Sequence, residues 1–158
     1  MKRIFVFYGG IDLTDETSKA LKALVKISSK NIQADVIVGS KNPQKFEIEK
    51  FCRQYDFLHY HEQINNLAEL MSLADLSIGA GGTTTWERCF LGLPAIVTAV
   101  AENQIKGCQD LDKAGFIKYL GQSAEVTPEK IVNAIESLTP EILLDMQEKS
   151  LKIFCGRD

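Results

Sequence analysis

No apolar run in the sequence is long enough to cross a membrane as a helix. The run after Met1-Lys2-Arg3, Ile4 to Tyr8, stops at Gly9-Gly10. A helical span needs about 20 residues, and a secretory signal needs a longer apolar stretch behind its basic start. An excess of basic charge is also missing. The 18 Lys and Arg against 21 Asp and Glu leave a net charge of −3, which excludes a strongly basic nucleic-acid or membrane surface. A phosphate ligand stays allowed, because backbone amides at a helix start bind anions without net positive charge. Cysteine is sparse: Cys52, Cys89, Cys108 and Cys155 form no Cys-x-x-Cys pair. A zinc ribbon, a thioredoxin-like site and a disulfide framework are therefore not expected, and a reducing cytoplasm is the expected compartment. Cys52 and Cys89 fall in apolar helical patterns and read as buried small hydrophobes. Low-complexity tracts, linkers and repeats are lacking.

What remains is ordinary globular material. The 158 residues are 45% apolar and 25% charged, enough for one domain, residues 1–158, to fold without staples. Short β-rich runs alternate with helical ones. Strands are expected at 4–8, 35–38, 57–60, 76–78, 95–98 and 116–120. Helices are expected at about 14–28 with Thr14 as N-cap, from Asn42-Pro43 with Phe46 and Phe51, and near Leu67, Leu70 and Met71. Further helices are expected at 84–91, from Asn103 or Gln104 to Ala114 with Gly115 at C′, from Pro128 to Leu138, and from Pro140 to about Phe154. Six βα units with continuous apolar strands predict a doubly wound, parallel, six-stranded α/β sheet, Rossmann-like, in the order 3-2-1-4-5-6. That order puts strands 1 and 4 together at the switch point. The two glycine-rich loops, Gly9-Gly10 and Gly79 to Gly82, follow those same strands.

Gly81-Gly82-Thr83-Thr84-Thr85 leads from the fourth strand into a helix. Glycines let a ligand approach the backbone, the first helical amides lack internal partners, and hydroxyls add donors. This suits a diphosphate, and it also fits a tight, well-capped turn. It is neither a Walker loop nor Gly-x-Gly-x-x-Gly. Glu87 has two readings: a capping box to the Thr84 amide, or an acceptor for a ribose diol in the crevice.

The stretch from Ala74 to Arg88 with Gly81-Gly82-Thr83-Thr84-Thr85-Trp86-Glu87, then Gly92-Leu93-Pro94 and Ala101-Glu102-Asn103-Gln104, resembles the UDP-sugar hydrolase of pseudaminic acid biosynthesis. It also resembles the related spore-coat polysaccharide proteins. Gly9-Gly10-Ile11-Asp12 is similar to that family's Gly-Gly-x-Asp loop. The resemblance covers most of the chain and extends to the C-terminal half of GT-B glycosyltransferases. It implies that UDP or a UDP-sugar binds between two Rossmann-like domains, the C-terminal one holding UDP. Gly81, Gly82, Thr83 and Thr84 would meet the diphosphate, Glu87 the ribose, the backbone of Ile64 the uracil, and Asn103 and Gln104 the sugar. The implied reaction cleaves the glycosyl C–O bond with water and needs no metal or other cofactor. The family's catalytic His follows a glycine in the N-terminal domain, and neither His59 nor His61 does so here. The chain, ending at Gly156-Arg157-Asp158, reads as an excised or split C-terminal half, with no catalytic residue of its own and inactive without an N-terminal partner in cis or trans. The alternatives are half of a GT-B glycosyltransferase and a non-catalytic binding subunit.

Other candidates have plainer readings. His59 and His61 are two ligands without a third and read as exposed strand-end residues; Tyr60 or His61 facing the base is the alternative. Asn103 doubles as a candidate N-cap. Asp12 is either a cap for the first helix or a sugar contact. Lys41, Lys45 and Lys106 read as solvated charges, Lys106 with a phosphate as its alternative. Trp86 fits the family and would serve equally as core. Thr17, Ser18 and Ser28 lack an activating histidine.

Overall fold

The structure is a computed structural model that describes residues 1–82 and 84–155, with backbone alone for residues 154 and 155. Thr83, Gly156-Arg157-Asp158 and the side chain of Cys155 lie outside the described residues. The strands are β1 (Arg3–Phe7), β2 (Gln33–Val38), β3 (Leu58–Glu62), β4 (Leu76–Ala80), β5 (Ala95–Ala99) and β6 (Lys118–Gln122). They form one parallel sheet in the expected order, β3-β2-β1-β4-β5-β6. The helices are α1 (Glu16–Lys26), α2 (Lys45–Arg53), α3 (Leu67–Leu73), α4 (Thr84–Phe90), α5 (Glu102–Lys113), α6 (Pro128–Ser137) and α7 (Pro140–Cys155).

The two-residue repeat of a strand explains the layering. Ile4 and Val6 of β1, with Val36 and Val38 of β2, face a core closed by Leu21 and Leu24 of α1, Ile48 of α2 and Ile131 of α6. Phe5 and Ile37 face the other way, onto Met71 of α3 and Leu93. Ala95 and Val97 share that second face with Cys108 of α5. Every residue of β4 and β5 is buried. The edge strand β3 is half-exposed, which is why it reads weakly in the sequence.

Helix starts depart from expectation. Asp15, not Thr14, caps α1; its carboxylate accepts from the Ser18 amide and hydroxyl. The Asn42 side chain accepts from Gln44 N at 2.7 Å, but α2 starts only at Lys45, with Pro43 left in the turn. Ala101 occupies the N-cap of α5, so Asn103 lies inside the first turn and is not the cap. Pro128 opens α6 behind Thr127, whose hydroxyl accepts from Lys130 N. Gly115 adopts φ 84° after α5, as expected of a C′ glycine.

The histidines of β3 also differ from the reading of exposed strand ends. Both are half-buried and bonded across to β2: His59 Nε2 lies 2.7 Å from Gln33 Oε1, and His61 Nε2 lies 3.0 Å from Asp35 Oδ1. Arg3 completes this cluster with two bonds to the buried Asp35 carboxylate. Burial pushes that carboxyl up, but the bonds from Arg3 and His61 outweigh it and hold it below its ordinary range. Tyr60 packs on the first core and donates to Glu62. Trp86 and Phe46 are exposed, not core. Cys52, Cys89 and Cys108 are buried free thiols. Among the described residues no group of His, Cys, Asp and Glu forms a metal cluster. Among the described residues no helix is long and apolar enough to cross a membrane.

Candidate functional site at the switch point

The connections of β1 and β4 leave the sheet in opposite directions, α1 onto the first face and α4 with α5 toward the second. The crevice between them lies at the C-terminal edge of the sheet. Both glycine loops reach it. After β1, Gly9, Asp12 and Asp15 all take positive φ (93°, 51° and 54°). A loop with left-handed non-glycine residues is held by its surroundings, a common property of ligand sites. Here the hold is visible: the Asp12 carboxylate accepts from Glu16 N, Thr17 N and the Thr17 hydroxyl at 2.9, 2.9 and 2.6 Å. Burial nevertheless leaves the Asp12 carboxyl above its ordinary value. Asp12 thus caps α1, together with Asp15. A cleft of about 210 Å³ opens beside it, lined by Tyr8, Ile11, Asp12, Leu13, Thr14 and Val100.

After β4, Gly81 N donates to Thr98 O at 3.1 Å and Thr85 N donates to Gly82 O at 3.0 Å. A Cβ on Gly81 would fall 2.3 Å from Cys108 Sγ, so the loop lies flat against α5 only because residue 81 has no side chain. Gly82 and Thr84 are half-exposed at the start of α4. Thr83 lies outside the described residues. Glu87 is exposed on α4, and the start of that helix, where a capping box would form, adjoins Thr83, which is outside the described residues. Gln104 sits beside the loop: its side-chain oxygen accepts from Val100 N at 3.0 Å, and its Nε2 lies 3.6 Å from the position of a Gly82 Cβ. Asn103 is exposed in the same first turn of α5. Ile64 lies in the β3–α3 connection, packed on the cluster of Phe5 and Ile37. Lys106 pairs with Asp110 and Lys45 with Glu62, consistent with surface roles. A larger groove, lined by Asp75, Leu91, Pro94 and Leu144 among others, lies at the opposite, N-terminal edge and holds none of the expected residues.

Three residues of the crevice floor, Tyr8, Thr98 and Arg88, are given no site role by the sequence, and a fourth, Thr85, is expected there only as a hydroxyl of the glycine loop. Tyr8 is buried at the end of β1, hydrogen-bonded with Thr98; burial, then Glu16 and Asp12, push its phenol up. Arg88 is 1% exposed and donates through Nη2 to Ala80 O at 2.5 Å. Thr85, one turn before it, is also buried. The available signal was phase: Thr85, Arg88 and Cys89 fall three and four residues apart on one helical face, so a cation occupies an inward position.

Residues 3–154 match the model of the glycosyltransferase family 28 C-terminal domain. The chain belongs to that family. This family 28 domain is 30% identical over 153 residues to the UDP-N-acetylglucosamine--N-acetylmuramyl-(pentapeptide) pyrophosphoryl-undecaprenol N-acetylglucosamine transferase of Lactococcus lactis subsp. cremoris, covering 91% of this chain and 42% of that protein. It is 28% identical over 134 residues to the spore coat polysaccharide biosynthesis protein SpsG of Bacillus subtilis, covering 83% and 39%. It is also 28% identical over 122 residues to the pseudaminic acid cytidylyltransferase and UDP-2,4-diacetamido-2,4,6-trideoxy-beta-L-altropyranose hydrolase of Helicobacter pylori, covering 74% and 20%. The family 28 domain therefore spans less than half the length of these relatives. Among solved structures, MurG of Acinetobacter baumannii superposes with a TM-score of 0.75 at 19% identity, covering 94% of this chain and 44% of that one. The sheet is thus the Rossmann-like C-terminal half of a GT-B fold.

Proposed function

We propose that this domain binds UDP or a UDP-sugar as the nucleotide-holding half of a two-domain GT-B enzyme that transfers the sugar to an acceptor. The observation that carries the reading is the convergence of both glycine loops on the switch-point crevice. In this reading the amides at Gly81 and Gly82, with the Thr83 and Thr84 hydroxyls, take the diphosphate. The Glu87 carboxylate accepts from the ribose diol, and the backbone of Ile64 meets the uracil. Asn103 and Gln104 face the sugar, with Gly9, Gly10 and Asp12 across the crevice. Cleavage of the anomeric C–O bond leaves negative charge on the β-phosphate, and preorganised amides stabilise that charge as it develops. The groups that activate the acceptor come from an N-terminal domain, in cis or in trans. The transferase reading is supported by the family match and by the similarity to the Lactococcus lactis enzyme.

A second reading, hydrolysis of the same bond by water, is supported by the similarity to the Helicobacter pylori protein. It also rests on the Gly-Gly-Thr-Thr-Thr-Trp-Glu string. The first test is thermal melting with UDP: a rise at millimolar UDP supports nucleotide binding, and an unmoved melting point rules it out. Product analysis with the N-terminal half added back then separates free sugar from glycosylated acceptor.

A further inference from the structure

Arg88 is a buried cation. Its side chain is 1% exposed, and among the described residues it forms no ion pair. Among the described residues Nη2 donates to Ala80 O, while Nε and Nη1 are buried without a partner. The Thr85 hydroxyl is buried without a partner on the same helical face. Buried donors in native proteins are nearly always satisfied, and a buried charge left unpaired is costly. Two orphan guanidinium donors and an orphan hydroxyl in one place therefore call for an explanation.

Their position supplies one. Ala80 O, which Nη2 holds, immediately precedes the Gly81-Gly82 loop. Nη1 lies 3.6 Å from where a Gly79 Cβ would stand. The guanidinium thus sits directly beneath the backbone that turns from β4 into α4. Cys89, Tyr8, Cys108 and, least of them, the Glu87 carboxylate act on its charge, and among the described residues none of them forms an ion pair with it. Burial lowers Arg88 to about 10, so it stays charged at neutral pH. An uncompensated charge in a poorly polarisable interior acts over a longer distance than one in water.

We propose that Arg88 is the positive charge of the anion site: it lies under the glycine loop without a counterion because a diphosphate on the other side of that loop is its counterion. This rests on the nucleotide-binding reading. In that role Arg88 is a positioning residue, acting through the loop that it holds by Ala80 O. The chain's net charge of −3 then poses no difficulty for an anionic ligand, because the relevant charge is local and screened from solvent.

The test uses the full chain, with wild type, R88M, R88Q and R88K. Each is melted without ligand and titrated with UDP, uridine and pyrophosphate. An apolar side chain of similar length removes an unpaired charge, so R88M should melt no lower than wild type. It should bind uridine unchanged and UDP at least about tenfold more weakly, because it removes the buried charge acting across the loop. R88K should keep UDP affinity within about threefold of wild type, because it keeps the charge. The proposal is overturned if R88M binds UDP as wild type does, or if it loses uridine and UDP equally. It is also overturned if R88M and R88Q both melt more than about 5 °C lower, which marks a structural arginine. If wild type binds neither UDP nor uridine, the nucleotide reading fails by itself. Pyrophosphate then decides the role of Arg88: tighter binding by wild type than by R88M upholds it, and equal or no binding ends it.

Discussion

Glu87 and Asp35 contrast an exposed carboxylate with one consumed by the fold. Glu87 is exposed in the first turn of α4. Glu87→Ala should therefore leave melting nearly unchanged and weaken UDP about tenfold while leaving pyrophosphate alone, as read by calorimetric titration. Equal losses for both ligands would remove Glu87 from the ribose. Asp35 is buried and tied to Arg3 and His61 across three strands. Its carboxyl is held low in the folded state, so its contribution is present above the unfolded value of about 3.9 and is lost as pH falls through the lower folded value. Asp35→Asn should cost about 1 kcal/mol at pH 7, moderated by the partial exposure of Arg3. The cost should shrink toward zero in strong acid, measured by urea unfolding across pH. A cost that does not change with pH would mean that packing, not charge, holds this cluster.

At the scale of elements, the crevice depends on how closely loops lie against helices. Gly81 lies against Cys108, and an added Cβ would come within 2.3 Å of its sulfur. Gly81→Ala should push α5 away from the loop, lower the melting temperature by several degrees and abolish the UDP-induced rise. Adding Cys108→Ala removes the clashing atom and should recover part of both; no recovery would place the strain elsewhere. Helix α6 offers a simpler check outside the crevice. Its start is set by the Thr127 hydroxyl and by Pro128 at the first helical position. Thr127→Ala should cost about 1 kcal/mol in urea unfolding without changing UDP binding.

For the whole molecule, the proposed function makes ligand and fold one equilibrium. A ligand that binds only the folded state adds RT ln(1 + [L]/Kd), about 2.7 kcal/mol at a hundredfold excess over Kd. For a chain of 158 residues that corresponds to a rise of roughly 5–10 °C. The fold is the C-terminal half of a GT-B fold, and in the proposed enzyme the bond-breaking chemistry belongs to two domains. UDP binding by this chain alone and sugar transfer only with a partner domain are therefore the paired expectations; turnover of UDP-sugar by this chain alone would contradict them.

The apolar runs by themselves determined the strands, and the order of strands and helices determined a doubly wound sheet. Each strand buries on both faces only when helices alternate with it along the chain, and that pattern is local and periodic. The glycine loops were legible for the same reason, since missing side chains are visible in a string of letters. Helix starts were less so: Thr14, Asp15 and Asp12 are all acceptable caps, and the choice fell to whichever oxygens the end of β1 left facing the free amides of α1. Tertiary structure alone decided the floor of the crevice. Tyr8, Thr85, Arg88 and Thr98 come from the end of β1, from β5 and from α4, and apart from Thr85 in the glycine loop each is an unremarkable residue in its own segment. Only the parallel packing of β1, β4 and β5 stacks them in one interior, and only burial turns an ordinary arginine into a charge without a partner.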